Sequence, residues 1–160
     1  MQLEFLVAGG EVVGAKAVVP VRASPKDVIA KATALSKQRE MSHLLRGIPM
    51  IKSLSLDGDR AAIQMQFKVA FLSVNFGVKG RVTRESERVV HFQSSEGEPR
   101  DTHLRFELKD NAVELTISFD LDSLGFVAKY FLKHHPEIRP GIFAGVAYSV
   151  GDSIQRQLNG

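Results

Sequence analysis

Apolar residues occupy every second position through the middle of the chain, from about Arg60 to Leu121. A period of two predicts antiparallel strands with one buried face and one solvated face. Because many buried-face residues are Phe and few helical segments could cover them, we expect a curved sheet wrapped around a helix. The alternating residues are Ile63, Met65, Phe67, Val69, Phe71, Val74, Phe76, Val78, Val82, Val90, Phe92, Leu104, Phe106, Leu108, Val113, Leu115, Ile117, Phe119 and Leu121.

The length of 160 residues predicts a single domain spanning 1–160. A domain of this size buries roughly 70% of the surface of its unfolded chain, so it needs no disulfide or metal to fold. The sequence has no Cys, which excludes disulfides, thiolate nucleophiles and Cys-ligated metal centres. Its net charge of +3 is too small an excess to require nucleic acid or anionic lipid.

Targeting signals are not evident in the sequence. No apolar run approaches the ~20 residues that a membrane span needs. The stretch Met1–Gly10 has no basic region, and its apolar run is too short for a signal peptide. We therefore expect a cytoplasmic protein without a transmembrane segment.

The N-terminal third predicts a strand at Leu3–Val7, turn glycines at 9, 10 and 14 in a hairpin or a bent first strand, and then two short helices. Ser24 can cap the first helix and Pro25 suits its first position. Its apolar stripe is Val28, Ile29, Ala32 and Leu35, and the second helix covers Glu40–Arg46.

The C-terminal third predicts helix. Ser123 can cap a segment from Leu124 to His134, and Pro136 and Pro140 interrupt the helical pattern after it. From Gly141 a longer helix presents one apolar face: Phe143, Val146, Ala147, Val150, Ile154 and Leu158. Gly145 and Gly151 lie inside this helix, where each Gly costs about 1 kcal/mol of helix stability relative to Ala. Either the helix tolerates this cost, or the small residues allow close approach to the sheet or leave room for a ligand.

This order of elements resembles the START/Bet v 1-like (SRPBCC, helix-grip) superfamily over Leu3–Leu158. The stretch 19–28, VPVRASPKDV, looks like the passage from first strand to first helix in that superfamily. The stretch Ile63–Arg84, with Phe76–Gly80 at its centre, is similar to the paired strands of the branch related to carbon-monoxide dehydrogenase accessory protein G. Ala30, where an aromatic residue is frequent, and the apparent insertion Phe126–Ile138 depart from the pattern.

The resemblance implies an α+β helix-grip fold. In it, an antiparallel sheet of about six or seven strands wraps a long C-terminal helix, with two short helices after the first strand. It also implies a deep apolar cavity between sheet and helix that holds a hydrophobic small molecule or lipid. Some members are cyclases, dehydratases or hydrolases, and many have no known reaction.

The expected cavity lining combines inward strand residues with the apolar face of the last helix. His43 and Tyr148 are the candidate polar groups that would orient a ligand. The sequence predicts no catalytic residue, cofactor or metal site. The expected lining is Met65, Phe67, Phe76, Phe92, Phe106, Ile117, Phe119, Phe143, Val146, Ala147 and Val150.

Three groups of polar residues could suggest a metal site or acid–base catalysis, but each is better interpreted as solvent-exposed polar surface. His134, His135 and Glu137 could suggest a metal site. Adjacent histidines on a helix diverge by about 100°, however, so they seldom ligate the same ion. Asp101 with His103, and Asp120 with Asp122, are predicted on the solvated face.

An outward basic stripe would attract phosphates or an acidic partner. It lacks exposed aromatics for base stacking, so specific nucleic-acid binding is not expected. The stripe consists of Lys68, Lys79, Arg81, Arg105 and Lys109.

Three functional hypotheses remain open. The first is a non-enzymatic protein that binds a hydrophobic small molecule. The second is a cyclase- or dehydratase-like enzyme that uses the same cavity. The third is an accessory protein for metalloenzyme assembly, acting through the basic face or the apolar segment 124–135, which could also form a homodimer contact.

Overall fold

A computed structural model of the chain describes residues 1–22, 24, 26–27, 50–69 and 72–159. The predicted helices at 28–35 and 40–46, and with them His43, lie outside these residues. The described strands are β1 Gln2–Ala8, β2 Glu11–Pro20, β3 Ile51–Asp57, β4 Arg60–Val69, β5 Leu72–Ser86, β6 Val89–Glu98, β7 His103–Leu108 and β8 Ala112–Ser118.

These strands form one antiparallel sheet in the order β1-β2-β8-β7-β6-β5-β4-β3. The described residues contain eight strands, where the sequence predicted six or seven. The difference arises at the N-terminus, because Gly9 and Gly10 both have positive φ and turn the chain between β1 and β2. Two strands therefore precede the segment in which the short helices are predicted.

Two α-helices follow the sheet, α1 Gly125–His134 and α2 Arg139–Asn159. Short 3-10 turns at Leu121–Ser123 and Pro136–Ile138 lead into them. Pro140 lies in the first turn of α2, where its missing N–H costs no hydrogen bond. None of the helices in the described part of the chain could cross a membrane.

The beginning of the first predicted helix follows the capping chemistry of its sequence. The backbone N–H of Asp27 donates to the Ser24 hydroxyl oxygen at 3.2 Å. That hydroxyl donates in turn to the Asp27 carboxylate at 2.8 Å. The side chain of Ser24 thus satisfies one of the donors that a helix N-terminus leaves unpaired.

α2 packs chiefly on β2 and also contacts β1, β8 and β4. Gly151 permits this contact, since a Cβ there would lie 2.8 Å from the Met1 sulfur and 3.2 Å from Val19 Cγ2. Of the alternatives that the sequence left open, close approach to the sheet accounts for this glycine. The inward face of α2 is buried along its length, and Phe143, Val146 and Ala147 are wholly inaccessible.

A β-bulge interrupts the pairing of β5 with β6. The pairing register shifts between Lys79 and Gly80, and a Cβ on Gly80 would collide with the carbonyl oxygen of Gln93. A bulge of this kind increases the local twist of the sheet. The concave side of the bent sheet carries the buried residues and the convex side faces solvent.

Candidate functional site

A pocket of about 330 Å³ opens on the concave side of the sheet. Its walls come from β3 to β7 and from the turn between β3 and β4. The described residues that line it are Leu54, Leu56, Gly58, Asp59, Ala61, Ile63, Val82, Arg84, Val90, Phe92, Leu104 and Phe106.

Strand alternation makes this pocket apolar. Val82 pairs with Phe92, and Phe92 pairs with Leu104, so three neighbouring strands present apolar side chains side by side. On β4 the small Ala61 and the larger Ile63, both on the buried face, also line the pocket. The apolar character of the pocket therefore follows from the buried face of five neighbouring strands.

The mouth of the pocket carries the charged side chains of its lining. The Asp59 carboxylate accepts a contact from the Arg81 guanidinium at 3.4 Å. Arg84 pairs with Val90 across the sheet, on the concave side, and is exposed. Leu56, also at the mouth, is 38% exposed. A ligand here would meet apolar walls and one guanidinium at the rim.

Of the eleven residues predicted to line a cavity, Phe92 and Phe106 line this pocket. The other nine are buried in the packed core between sheet and α2: Met65, Phe67, Phe76, Ile117, Phe119, Phe143, Val146, Ala147 and Val150.

Aromatic rings fill that core in a continuous row. Phe67 and Phe76 have ring centroids 5.5 Å apart, Phe76 and Phe119 4.7 Å, and Phe119 and Phe143 4.5 Å. Rings at these separations are in packing contact. In the described part of the chain the pocket thus lies beside the region beneath α2 rather than within it.

The polar groups predicted to orient a ligand are not among the described residues of the pocket wall. Tyr148 lies on α2 with 53% of its side chain exposed, which places its hydroxyl at the surface. His43 falls outside the described residues. Arg84, which the sequence did not single out, stands at the rim instead.

Sequence reasoning did not select several residues of the pocket wall. Ile63, Val82, Val90 and Leu104 were recognised as buried-face strand residues but not as lining. Leu54 and Leu56 alternate with Ser53 and Ser55 just before the Asp57–Gly58 turn, and this pattern could have identified β3. Which buried-face residues border a void depends on the bend of the sheet, which the alternation does not encode.

On the convex side, two histidines of neighbouring strands contact each other. His91 Nε2 and His103 Nδ1 are 3.1 Å apart, and the rings are inclined by 14°. Burial and then the nearby His91 lower the pKa of His103 below its ordinary value, and Asp101 opposes this shift. Asp101 and His103 lie on the solvated side as predicted, but the hydrogen-bond partner of His103 is His91.

Acidic neighbours neutralise much of the predicted basic stripe. The Glu107 carboxylate accepts from Arg105 at 2.9 Å and from Lys109 at 3.0 Å. Hydrogen bonds from Lys109 and Arg105 lower the pKa of Glu107. Arg81 pairs with Asp59, which leaves Lys68 and Lys79 as stripe residues without an ion pair to another described residue.

A second depression, of about 490 Å³, lies on the convex side near Lys79. Acids and bases alternate around it, so it favours neither an anion nor a cation. Its described lining is Ser55, Asp57, Arg60, Ala61, Ala62, Lys79, Gly80, Arg81, Ser95 and Glu96.

His134 and His135 diverge as expected for helical neighbours. The His134 ring lies 4.5 Å from that of Tyr130, whereas His135 contacts Phe131 and Glu137. Among the described residues, no three His, Asp or Glu side chains converge as a metal site would require.

Three solved structures similar to this chain share its architecture. A protein from Thermus thermophilus has a TM-score of 0.59 and 16% identity, covering 89% of this chain and 94% of its own. Major latex-like protein 151 from Panax ginseng has a TM-score of 0.51 and 14% identity, covering 91% and 96%. The Zhui aromatase/cyclase from a Streptomyces species has a TM-score of 0.50 and 11% identity, covering 99% and 97%.

At such low identities the likeness shows the fold. The chain has a helix-grip fold, as the resemblance implied. No protein-family model matches the chain, and no curated protein does. The relation to the accessory protein G branch stays a prediction.

Proposed function

We propose that this protein binds a hydrophobic small molecule in the concave pocket formed by β3 to β7. The observation that carries the proposal is the pocket of about 330 Å³. Small-molecule sites are concave and mostly apolar, with volumes of roughly 300–1,000 Å³. This pocket is at the small end of that range, which favours a compact ligand or the end of a longer one.

The driving force would be burial of the ligand's apolar surface. Nine of the twelve described lining residues are aliphatic or aromatic. Removing apolar surface from water contributes about 25 cal/mol per Å², before the entropic losses of association. The pocket supplies few hydrogen bonds, so apolar contact provides most of the affinity.

Arg84 narrows the ligand class. It stands at the rim on the concave side, and none of the ion pairs formed among the described residues includes it. Asp59, the other charged lining residue, contacts Arg81. A hydrophobic molecule with an anionic or hydrogen-bond-accepting end, such as a carboxylate or phenolate, would place that end against the Arg84 guanidinium.

The enzymatic alternative has less support. A cyclase or dehydratase needs an ionisable or hydroxyl group positioned against its substrate. The described lining contains no imidazole, hydroxyl or Tyr, and its charged groups stand at the mouth. The accessory-protein alternative would act through the basic face or the segment 124–135, and neither of these contributes to the described lining of the pocket.

A filling substitution tests the pocket. Val90 lines it, whereas its neighbour Val89 points to the convex side and pairs with Glu107. We expect Val90→Trp to abolish binding of the neutral dye N-phenyl-1-naphthylamine, and Val89→Trp to retain it. Dye fluorescence titration gives the Kd, and circular dichroism checks that both variants fold. Equal dye binding by the two folded variants would refute this pocket as the site.

A charge substitution tests the ligand class. Arg84→Gln should weaken binding of the anionic dye 8-anilinonaphthalene-1-sulfonate about tenfold, the scale of one charge-assisted hydrogen bond, and leave the neutral dye unaffected. Arg88→Gln is the matched control, since Arg88 pairs with Asp110 at the surface. Native mass spectrometry of freshly purified protein would identify a natural ligand. An equal loss for both dyes in Arg84→Gln would contradict a charge-specific role.

A further inference from the structure

α1 turns its aromatic residues toward solvent. Phe126 is 82% exposed and Tyr130 59% exposed, while Leu132 on the opposite side is buried. The Phe126 and Tyr130 rings lie 6.4 Å apart, and the Tyr130 and His134 rings 4.5 Å. We call Phe126, Tyr130 and His134 the aromatic face. Their i, i+4 spacing places them in one row along the helix. The exposed side of α1 therefore carries aromatic rings.

The charged side chains of α1 itself are all basic. Lys129 and Lys133 are exposed on the same helix, and no acidic residue occurs from 124 to 135. Of the nearest acids in the sequence, Asp122 forms an ion pair with Arg139 at 3.4 Å, and the Glu137 carboxylate lies 3.3 Å from His135 Nδ1. A partner of this face must therefore accept aromatic rings and carry negative charge.

Two exposed aromatic rings flanked by lysines suit a lipid surface better than a protein. α1 has ten residues and is about 15 Å long, whereas a stable protein interface buries roughly 1,200–2,000 Å². One short helix face supplies too little area for that. A second copy of the chain would also bring Lys129 and Lys133 against their own equivalents.

We propose that α1 docks this protein on an anionic lipid bilayer. Phe126 enters the boundary between headgroups and acyl chains, and the Tyr130 hydroxyl stays among the headgroups, where aromatic residues with a polar tip are enriched. Lys129 and Lys133 extend along the helix to reach lipid phosphates. This inference is independent of the pocket, because none of its residues line the pocket.

Vesicle co-sedimentation tests the docking. The full chain should pellet with phosphatidylcholine vesicles that contain phosphatidylglycerol, an anionic lipid, and bind pure phosphatidylcholine weakly. We expect Phe126→Ser with Tyr130→Ser to lower the partition coefficient about tenfold or more. Lys129→Gln with Lys133→Gln should lower it by a similar factor and remove most of its salt dependence.

Matched controls come from other exposed residues. Tyr148→Ser removes an exposed aromatic ring from α2, and Lys68→Gln with Lys79→Gln removes two exposed strand lysines. Neither control should change the partition coefficient by more than about twofold, because a surface charge or ring remote from the bilayer contributes little beyond the screening distance.

The chain contains no Trp, so a single introduced Trp reports its own position. Phe126→Trp should show a blue-shifted emission with anionic vesicles and quenching by brominated lipid. Tyr148→Trp should show neither change. This readout does not depend on pocket ligand binding, so its failure is distinguishable from failure of the proposed function.

Three results would overturn the inference. The first is failure of the unaltered chain to pellet with anionic vesicles. The second is equal binding by the Phe126→Ser/Tyr130→Ser variant and the Tyr148→Ser control. The third is a concentration-dependent dimer that the Phe126→Ser/Tyr130→Ser substitutions abolish, which would assign this face to a second copy of the chain.

Discussion

The concave side of the sheet has two regions made of similar residues with opposite outcomes. Beneath α2, Phe76, Phe119 and Phe143 pack ring to ring and exclude solvent. Toward the β3–β4 turn, Phe92 and Phe106 border an open pocket. Apolar alternation is equally strong in both regions. What differs is the covering element, because the aromatic side chain of Phe143 on α2 reaches into the first region.

In this helix-grip fold the pocket does not lie directly under the long helix, since none of its described lining residues belongs to α2. α2 lies closest to β2, where Gly151 allows it to approach. That close packing fills the space beneath it. Apolar residues of β3 to β7 instead face the pocket, and this is the surface at which we propose that a ligand binds.

The largest expected effect separates the two regions by stability. Phe143→Ala should lower the free energy of unfolding by about 3–5 kcal/mol, since it empties a fully buried site. Phe106→Ala should cost about 1–2 kcal/mol, because its ring borders the pocket and is only partly packed. Urea unfolding followed by circular dichroism measures both. Equal losses would show that the two regions are packed alike.

Ligand binding should add stability through the pocket region. At a free concentration of 100 times Kd, N-phenyl-1-naphthylamine should raise the free energy of unfolding by about 2.7 kcal/mol. The gain should persist in Val89→Trp and vanish in Val90→Trp. Thermal unfolding with and without dye provides the measurement. A gain that survives the Val90 substitution would move the site elsewhere in the molecule.

The approach of α2 to β2 can be disturbed by one side chain. Gly151→Leu should destabilise the protein by about 1–3 kcal/mol, the usual cost of overpacking, because Val19 and Ala17 lie against that position. Gly141→Leu is the control, since a Cβ there meets nothing within 4 Å. That variant should be neutral or slightly stabilised by its better helix propensity. Similar destabilisation of both would argue against close packing at Gly151.

The smallest expected effect is pH-dependent and lies behind the pocket, on the convex side of β6 and β7. The pKa of His103 is lowered in the folded protein from an ordinary value of 6.5. Below about pH 6.5 the unfolded chain therefore binds more protons, so stability falls until the pH is below the folded pKa. His103→Gln should show a smaller drop in urea midpoint between pH 7.5 and pH 5.5. Identical drops would exclude His103 as the cause.

Strand alternation predicted much of the fold. It identified the inward residues of β4 to β8. The turn glycines near the N-terminus were compatible with the hairpin of β1 and β2, which was one of two alternatives. The predicted starts of α1 and α2 are right to within two residues. The predicted Ser123 cap of α1 is wrong, because Leu124 takes the N-cap position and the Ser123 hydroxyl donates to the Asp120 carbonyl oxygen. Pro140 does not interrupt the helix, since it lies in the first turn of α2. The strand number was too low because a hairpin and one bent strand have the same apolar pattern until the glycine φ angles are known.

The site was harder to predict than the fold. Burial depends on which face of a strand or helix a residue occupies, and the period of the apolar residues in the sequence indicates that face. A void forms where two surfaces do not meet, so its position depends on how the elements pack across the fold. Of the residues that line the pocket, the sequence therefore singled out Phe92 and Phe106 as candidate lining but not Ala61 or Arg84.

By itself, the sequence determined the antiparallel sheet, its buried face and the C-terminal helices. It also showed that the segment 124–135 is unusually apolar. The tertiary structure alone decided that the rings beneath α2 fill their space, that the pocket opens beside them, and that Phe126 and Tyr130 point outward. The reason is that periodicity records which side of an element is apolar, whereas contact between elements depends on distances across the fold.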